Sequence, residues 1–113
     1  SDQGEGDEEN FKMKGLFWNC KGAGKKGMTT CLSDFIKDHS LDFVGIQETK
    51  KKNFDPKYLR RVDPFDRFSW NWIPSVGKSG GILCGVRSDK LEIISCAKGK
   101  HILQLVLQDR QKN

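Results

Sequence analysis

A strand–helix–strand pattern near the start of the chain constrains the fold most strongly. The segment KGLFWNC, residues 14–20, has an apolar, aromatic-rich centre followed by glycines, which is typical of a buried strand that ends in a loop. Residues 28–39 carry apolar side chains at helical spacings of three and four, and Thr29 or Thr30 can cap this helix. The segment FVGIQET, residues 43–49, is a second apolar strand. A helix between two strands favours parallel pairing, so the sequence predicts a βαβ unit.

The rest of the chain is predicted to form mainly antiparallel strands. Residues 50–61 are basic and weakly periodic, which indicates a loop with a short helix over residues 56–61. Three or four strands follow, over residues 67–73, 81–86, 91–96 and 101–108. The last is almost continuously apolar, as expected of a central strand, and Ser88-Asp89 and Lys98-Gly99 are predicted hairpin turns. The predicted fold class is therefore α/β (α+β), with one mixed, mostly antiparallel sheet of about five to six strands and one main helix after the first strand.

Charge divides the chain into an acidic start and a basic body. Residues 1–10 hold five of the 15 acidic residues and no base, so the remainder holds all 20 basic residues against ten acidic ones. We predict that residues 1–10 form a disordered acidic leader and that residues 11–113 form one domain. A basic domain suggests a polyanionic partner. The leader can compete for the same surface or act only as a solubilising remnant, and the sequence leaves both interpretations open.

The sequence contains neither a membrane-spanning run nor a metal-binding cysteine pattern. No apolar stretch approaches the length of a membrane span, and no signal segment opens the chain, so we expect no membrane partner and an intracellular, nuclear or cytoplasmic location. The four cysteines form no CxxC pair, and only two histidines are present. We therefore predict reduced, mostly buried thiols rather than a zinc site.

Two polar side chains close the first two predicted strands at equivalent places. Asn19 ends the first strand and Glu48 ends the second. Because neighbouring parallel strands end at the same edge of a sheet, we expect these two side chains to lie close together. A strand-end asparagine or glutamate is often only a turn or surface residue, so the pattern alone leaves that interpretation open beside a functional one.

Two lysine clusters follow the same two strands. They consist of Lys21, Lys25 and Lys26 after the first strand and Lys50, Lys51 and Lys52 after the second. Placed along one rim of the sheet, they can hold a phosphate backbone with an affinity that depends on salt and not on base sequence. The alternative is that both clusters are simply solvated loops.

The segment VGKSGG, residues 76–81, resembles the end of a phosphate-binding P-loop. That motif requires a glycine five positions before Gly77, where Trp72 stands, and a helix afterwards, where the sequence predicts a strand. We interpret the segment as a glycine-rich turn into a tightly packed strand.

Three ordered blocks resemble the opening of the endonuclease/exonuclease/phosphatase family, most closely the endonuclease of plant LINE-type retrotransposons. They are LFWNCKGAG, LDFVGIQET and WNWIPSVGKSGGILCGVR, and the resemblance covers residues 12–113. It implies half of a four-layer α/β sandwich. It also implies that Glu48 binds the catalytic Mg²⁺, that Asn19 helps to hold the metal and phosphate site together, and that Lys78 lies near the DNA-binding face.

The resemblance also implies an incomplete catalytic set. The family's later aspartate–asparagine and aspartate–histidine pairs do not occur in the sequence given, and His39 and His101 do not match the family's catalytic histidine. We therefore expect a catalytically incompetent, retrotransposon-derived remnant that acts as a binding or dimerising module. Its partner would be nucleic acid, another protein, or a second copy that covers the exposed sheet face as a homodimer. The alternative is a Mg²⁺-dependent DNA endonuclease that is completed by another chain or in a longer product.

Overall fold

The computed structural model describes residues 12–110, so the predicted acidic leader, residues 1–10, lies outside the described residues. The described part forms six strands and two helices. In chain order these are β1 (Gly15–Asn19), α1 (Met28–His39), β2 (Phe43–Gln47), α2 (Pro56–Val62), β3 (Phe68–Ile73), β4 (Ile82–Arg87), β5 (Leu91–Lys98) and β6 (Leu103–Asp109). Neither helix in residues 12–110 is long and apolar enough to cross a membrane.

The first four strands form one mixed sheet in the order β1-β2-β4-β3. β1 and β2 are parallel, with Asn19 opposite Gln47, and α1 connects them, which confirms the predicted βαβ unit. β4 is antiparallel to both β2 and β3. The carboxyl ends of β1, β2 and β3 therefore lie at the same end of the sheet, where a site can form.

The last two strands form a separate antiparallel hairpin, so the prediction of a single sheet is corrected to sheets of four and two strands. The turn at Lys98-Gly99 joins β5 to β6 as predicted. The predicted hairpin at Ser88-Asp89 is absent because β4 already pairs on both of its edges, leaving no free edge for β5. The observed architecture remains α+β and is compatible with part of an α/β sandwich.

β6 is not the central strand that its apolar sequence suggested. Among residues 12–110 it pairs only with β5, and its side chains alternate between half-buried and exposed. Val106 remains 45% exposed, and Ile102, just before the strand, is 68% exposed. A continuous apolar run predicts burial on both faces, but a two-stranded hairpin can be covered on only one.

The main core lies between the helices and one face of the four-stranded sheet. Leu32 of α1, Ile46 of β2, Val62 of α2 and Leu83 of β4 are each at most 1% exposed. α2 begins as its sequence indicates, since Asp55 accepts a 2.8 Å hydrogen bond from the backbone N–H of Tyr58 and proline follows the cap.

The start of α1 differs from the prediction. Gly27 is the N-cap residue, with a left-handed φ of 82°, and no side chain caps the helix. Thr29 and Thr30 both lie inside the first turn, so neither is the cap. Glycine permits the sharp entry from the loop that follows β1, a conformation that a threonine would resist.

The opposite face of the sheet is covered in part by the chain's own hairpin. The Sγ atom of Cys96 on β5 lies 3.9 Å from Oδ1 of Asn71 on β3. Over β1 and β2, Phe17 packs across Gly45, lies 5.4 Å from the ring of Phe43 and is 75% exposed. Phe17 is thus a large apolar side chain left exposed on this face.

Candidate functional site

Asn19 and Glu48 meet at the carboxyl ends of β1 and β2. The Nδ2 atom of Asn19 donates a 2.7 Å hydrogen bond to Oε2 of Glu48. β2 ends at Gln47, and Glu48 adopts a left-handed φ of 53°, which turns the chain out of the strand. The expected proximity of the two side chains is thus observed, and the amide orients one of the two carboxylate oxygens.

The loops that follow β1 and β2 run side by side beyond this pair. The backbone N–H of Gly22 donates to the carbonyl of Glu48 at 2.8 Å, and that of Ala23 donates to the carbonyl of Thr49 at 2.7 Å. The hydroxyl of Tyr58 on α2 donates to the carbonyl of Ala23 at 2.7 Å. These bonds fix both lysine-bearing loops to each other and to α2.

The loop between β3 and β4 joins the same rim through its glycines. Thr49 donates its N–H to the carbonyl of Gly81 at 3.1 Å, and Lys50 donates to the carbonyl of Gly80 at 2.9 Å. Gly81 has φ of 93°, and a Cβ there would collide with Oγ1 of Thr49, which is fully buried. VGKSGG is therefore a turn into β4, as predicted from its sequence, and no helix follows it.

The three loops form what we call the lysine rim, consisting of Lys21, Lys25, Lys26, Lys50, Lys51, Lys52 and Lys78. All are exposed except Lys51, which is half-buried. The ammonium of Lys51 lies 5.2 Å from the ring centre of Tyr58 and 5.6 Å from that of Phe54. Lys51 is thus packed by cation–π contacts as well as charged. Lys25 donates from its ammonium to the carbonyl of Cys20 at 3.5 Å.

The side chains of Cys20 and Tyr58 contact the backbone of the loops at this site. Cys20 is buried, and its Sγ lies 3.5 Å from the carbonyl oxygen of Gln47 and 3.7 Å from that of Glu48. Burial raises the pKa of the Cys20 thiol, and burial also raises the pKa of Tyr58 to about 12. Both groups therefore stay neutral near pH 7 and act as hydrogen-bond donors, not as a nucleophile or a base.

The cysteines as a whole are less buried than their sequence context suggested. Cys20 is buried and Cys84 half-buried, but Cys31 and Cys96 are exposed. Cys31 lines a shallow pocket with Leu16, Trp18 and Phe35 at the edge strand β1, and Cys96 lies in the hairpin beyond the main core. All four are free thiols.

Glu48 is the side chain that the sequence resemblance implies as a Mg²⁺ ligand. Residues 12–110 contain no group of three or more His, Cys, Asp or Glu side chains that could hold a metal ion. His39 stacks on Phe35 at the end of α1, next to the start of β2 and so at the opposite end of the sheet from Glu48. One half-buried carboxylate beside an amide oxygen fits a hydrated Mg²⁺, which retains several waters, better than a closed site.

Two buried aspartates that the sequence did not single out shape the other end of the sheet. Asp42 accepts a 3.0 Å bond from the N–H of Lys14 at one carboxylate oxygen, and the Lys90 ammonium lies 3.0 Å from the other. Asp63 accepts bonds from the backbone N–H groups of Arg67 and Phe68, both at 2.9 Å. Both aspartates have partners within the fold, so neither is a free catalytic group.

Comparison with known proteins supports the fold but not a specific family. No protein-family model matches the chain, and no curated protein is similar in sequence. Among solved structures it is similar to D. rerio TDP2, an endonuclease/exonuclease/phosphatase-fold enzyme crystallised with a single-strand DNA product. The TM-score is 0.55 at 14% sequence identity, over 84% of this chain and 40% of that chain. The predicted fold is thus confirmed in its coarse form, and the chain spans less than half of TDP2's length.

Proposed function

We propose that this chain binds the phosphate backbone of nucleic acid at the lysine rim, around the Asn19–Glu48 pair. The observation that carries the proposal is the hydrogen bonding of three loops into one surface. The lysine clusters after β1 and β2 are held together by the bonds from Gly22 and Ala23, and Gly80 and Gly81 bring the Lys78 loop to them. These backbone bonds support one lysine-bearing surface rather than three independent loops.

Charge and geometry both favour a phosphate ligand. Six of the seven rim lysines are exposed, and the loop after β1 is hydrogen-bonded to the backbone of the half-buried Glu48. Lysine binds phosphate as a point charge from a flexible stem, so such a surface holds a backbone without reading bases. Binding of this kind weakens steeply as salt rises, because each contact releases a condensed counterion.

We further propose that the described residues do not hydrolyse a phosphodiester by themselves. Glu48 with Mg²⁺ can neutralise a phosphate oxygen, but the neighbouring Cys20 and Tyr58 remain protonated and His39 lies at the opposite end of the sheet. The alternative, a Mg²⁺-dependent DNA endonuclease completed by another chain or in a longer product, is favoured by the Asn19–Glu48 hydrogen bond. A plant LINE-type origin remains a proposal that rests on the three sequence blocks.

A protein partner, or a second copy in a homodimer, is a further proposal for the face opposite the helices. The hairpin covers part of that face, and Phe17 is left 75% exposed over Gly45. Large aromatic side chains are enriched at protein interfaces, where their burial contributes strongly to affinity. Light scattering at micromolar concentration would support this proposal with a dimeric mass that Phe17→Ser reduces, and would contradict it with a monomeric mass.

Binding to a labelled oligonucleotide tests the main proposal. We compare the wild-type protein with a Lys21→Gln/Lys50→Gln double variant by fluorescence anisotropy at 50 mM salt. Lysine and glutamine are similarly strained at the left-handed φ values of these positions, 54° and 57°, so the change isolates charge. The matched control is Lys98→Gln/Lys100→Gln, which removes two exposed charges from the end of the hairpin.

We expect the rim variant to bind about tenfold more weakly, or worse, and the hairpin variant to bind within about twofold of wild type. The absence of wild-type binding at low salt would refute the proposal. Equal losses in the two variants would also refute it, because they would show that only net charge matters.

A further inference from the structure

A groove lies beside the lysine rim, between α2 and the edge strand β3. It has a volume of about 590 Å³ and opens on the same face of the sheet that carries the helices. Its lining is mainly aromatic and apolar. It includes the rings of Phe54, Trp70 and Trp72 and the charged side chains of Arg60, Asp63 and Asp66. β3 has no neighbour beyond it in the described sheet, so the groove is not closed on that side.

The two tryptophans are held in place by the fold while part of each ring lines the groove. Trp70 lies flat across Gly85 of β4, stacks on Phe68 with 5.4 Å between ring centres, and donates its indole N–H to Asp63 at 3.3 Å. Trp72 meets Phe54 edge to face, with 5.6 Å between ring centres. Both indoles are only half-buried. Fixed and accessible rings are suited to stacking a flat ligand, because little side-chain entropy remains to be lost.

The groove adjoins the lysine rim at Lys51. The Lys51 ammonium lies 5.6 Å from the ring centre of Phe54, a buried side chain that lines the groove and meets Trp72 edge to face. Trp72 and Ile46 both pair with Leu83, which places Trp72 at the same end of the sheet as Glu48. A strand bound through its phosphates at the rim therefore passes the mouth of the groove.

We infer that this groove takes an unpaired nucleobase of a nucleic-acid strand whose phosphates lie on the lysine rim, an inference that rests on the proposed function. Every base has a flat π-face, so stacking on tryptophan is tolerant of sequence, and Arg60 adds a cation for stacking or phosphate contact. In a duplex the base faces are already stacked on each other. The site therefore gives the chain a preference for single strands.

A cationic ligand, such as a methylated ammonium group, fits this groove less well. Aromatic cages bind such cations with the help of a free carboxylate. Asp63 already accepts three hydrogen bonds, from Arg67, Phe68 and Trp70, and the exposed Arg60 repels a cation. Asp66, exposed at the edge of the groove, carries a charge opposite to that of Arg60, so these two exposed residues together give no net attraction for a cation.

Three oligonucleotides of equal phosphate count test the inference without altering the protein. They are a single strand, a hairpin duplex, and a single strand made of abasic sites, each titrated by fluorescence anisotropy at the same salt concentration. We expect the single strand to bind about 5- to 100-fold more tightly than the other two, the range expected for one stacked base. Equal binding of all three oligonucleotides would contradict base binding in the groove but not phosphate binding at the lysine rim. If none of the three bound, the proposed function itself would be refuted.

A Trp72→Leu variant tests the location. It keeps an apolar side chain in the groove but removes the π-face, and Phe65→Leu is the matched control because Phe65 is 74% exposed and does not line the groove. We expect Trp72→Leu to reduce single-strand affinity to the abasic level and to leave duplex affinity within about twofold, with Phe65→Leu unchanged.

Arg60→Gln, an exposed substitution that leaves the core untouched, gives a second measurement should Trp72→Leu unfold. It is expected to weaken single-strand binding more than duplex binding. An equal effect of Arg60→Gln on both ligands, or an equal loss in Trp72→Leu and Phe65→Leu, would overturn the inference. So would tryptophan quenching by a trimethyl-lysine peptide without quenching by the single strand.

Discussion

Asn19 and Glu48 are 29 residues apart in the chain, yet a 2.7 Å side-chain hydrogen bond joins them at the carboxyl ends of two parallel strands. The bond holds one carboxylate oxygen of Glu48 in place, and Glu48 itself is half-buried. We propose that a hydrated divalent cation and a phosphate group are both held at this pair.

Glu48→Gln is expected to remove Mg²⁺ binding while keeping the hydrogen bond from Asn19. A glutamine oxygen still accepts that bond, but it lacks the negative charge that attracts the cation. Thermal unfolding with and without Mg²⁺ should show stabilisation of the wild type by about 1.4 kcal/mol at ten times the dissociation constant, and none for the variant. Glu92→Gln, on β5, is the control. Equal stabilisation of wild type and Glu48→Gln would show that Mg²⁺ binds elsewhere.

Gly81→Ala is expected to destabilise the fold by about 2 kcal/mol or more. Alanine is strained at φ of 93°, and its Cβ would collide with the buried Thr49 hydroxyl that anchors the rim. Gly24→Ala is a matched control, because it lies in a rim loop with open space around it. Urea unfolding measures both. If Gly81→Ala lowered the free energy of unfolding no more than Gly24→Ala does, the packing described for the three loops would be contradicted.

Tyr58→Phe is expected to cost about 1 kcal/mol, since it removes the hydrogen bond to Ala23 that ties the first lysine loop to α2. The pKa of Tyr58 is raised to about 12 in the folded protein, so the folded state holds this proton more tightly than the unfolded state does. Its contribution is complete below pH 10 and is lost as pH rises from about 10 towards 12. Urea unfolding from pH 8 to 11 should show that the difference in free energy of unfolding between wild type and variant decreases above pH 10. A difference that stays constant would contradict a buried, hydrogen-bonded hydroxyl at Tyr58.

Alkylation should divide the four thiols into two pairs. Cys31 and Cys96 are exposed and should react first, whereas Cys20 is buried and burial raises the pKa of Cys84 to about 11. At pH 8 only about one Cys84 thiol in a thousand is then ionised, and the thiolate is the reactive form. Timed iodoacetamide labelling with peptide mass spectrometry measures the order. Rapid labelling of Cys20 and Cys84 would be inconsistent with the core described.

The sequence was informative where local patterns decide the structure. Parallel pairing of β1 with β2 follows from the connecting helix, and it is enough to bring Asn19 and Glu48 together. The separate hairpin was not predictable in this way, because whether β5 can join β4 depends on whether β3 and β2 already occupy both of its edges. The local sequence of β5 therefore does not show which strand it pairs with, because that depends on strands distant in the chain.

Side-chain environments were also beyond the sequence patterns. Lys51 belongs to a run of three lysines, yet only Lys51 packs on aromatic rings, because Phe54 and Tyr58 come to it from the following loop and helix. The sequence also did not predict Gly27 as the N-cap of α1, because Thr29 and Thr30, which follow it closely, are residue types that cap helices more often. The aromatic groove could not be predicted from the sequence. Trp70 and Trp72 are two residues apart and share one face of β3, but the opposite wall on α2 depends on tertiary packing.

The salt dependence of single-strand binding tests the central claim most directly. We measure the dissociation constant between 50 and 200 mM salt for wild type and for Lys21→Gln/Lys50→Gln, and compare the slopes of log K against log salt concentration. If rim lysines neutralise phosphates, the slope falls in magnitude by about 0.7 for each lysine removed, so by about 1.4 in the double variant. Identical slopes for the two proteins would contradict phosphate binding at the rim.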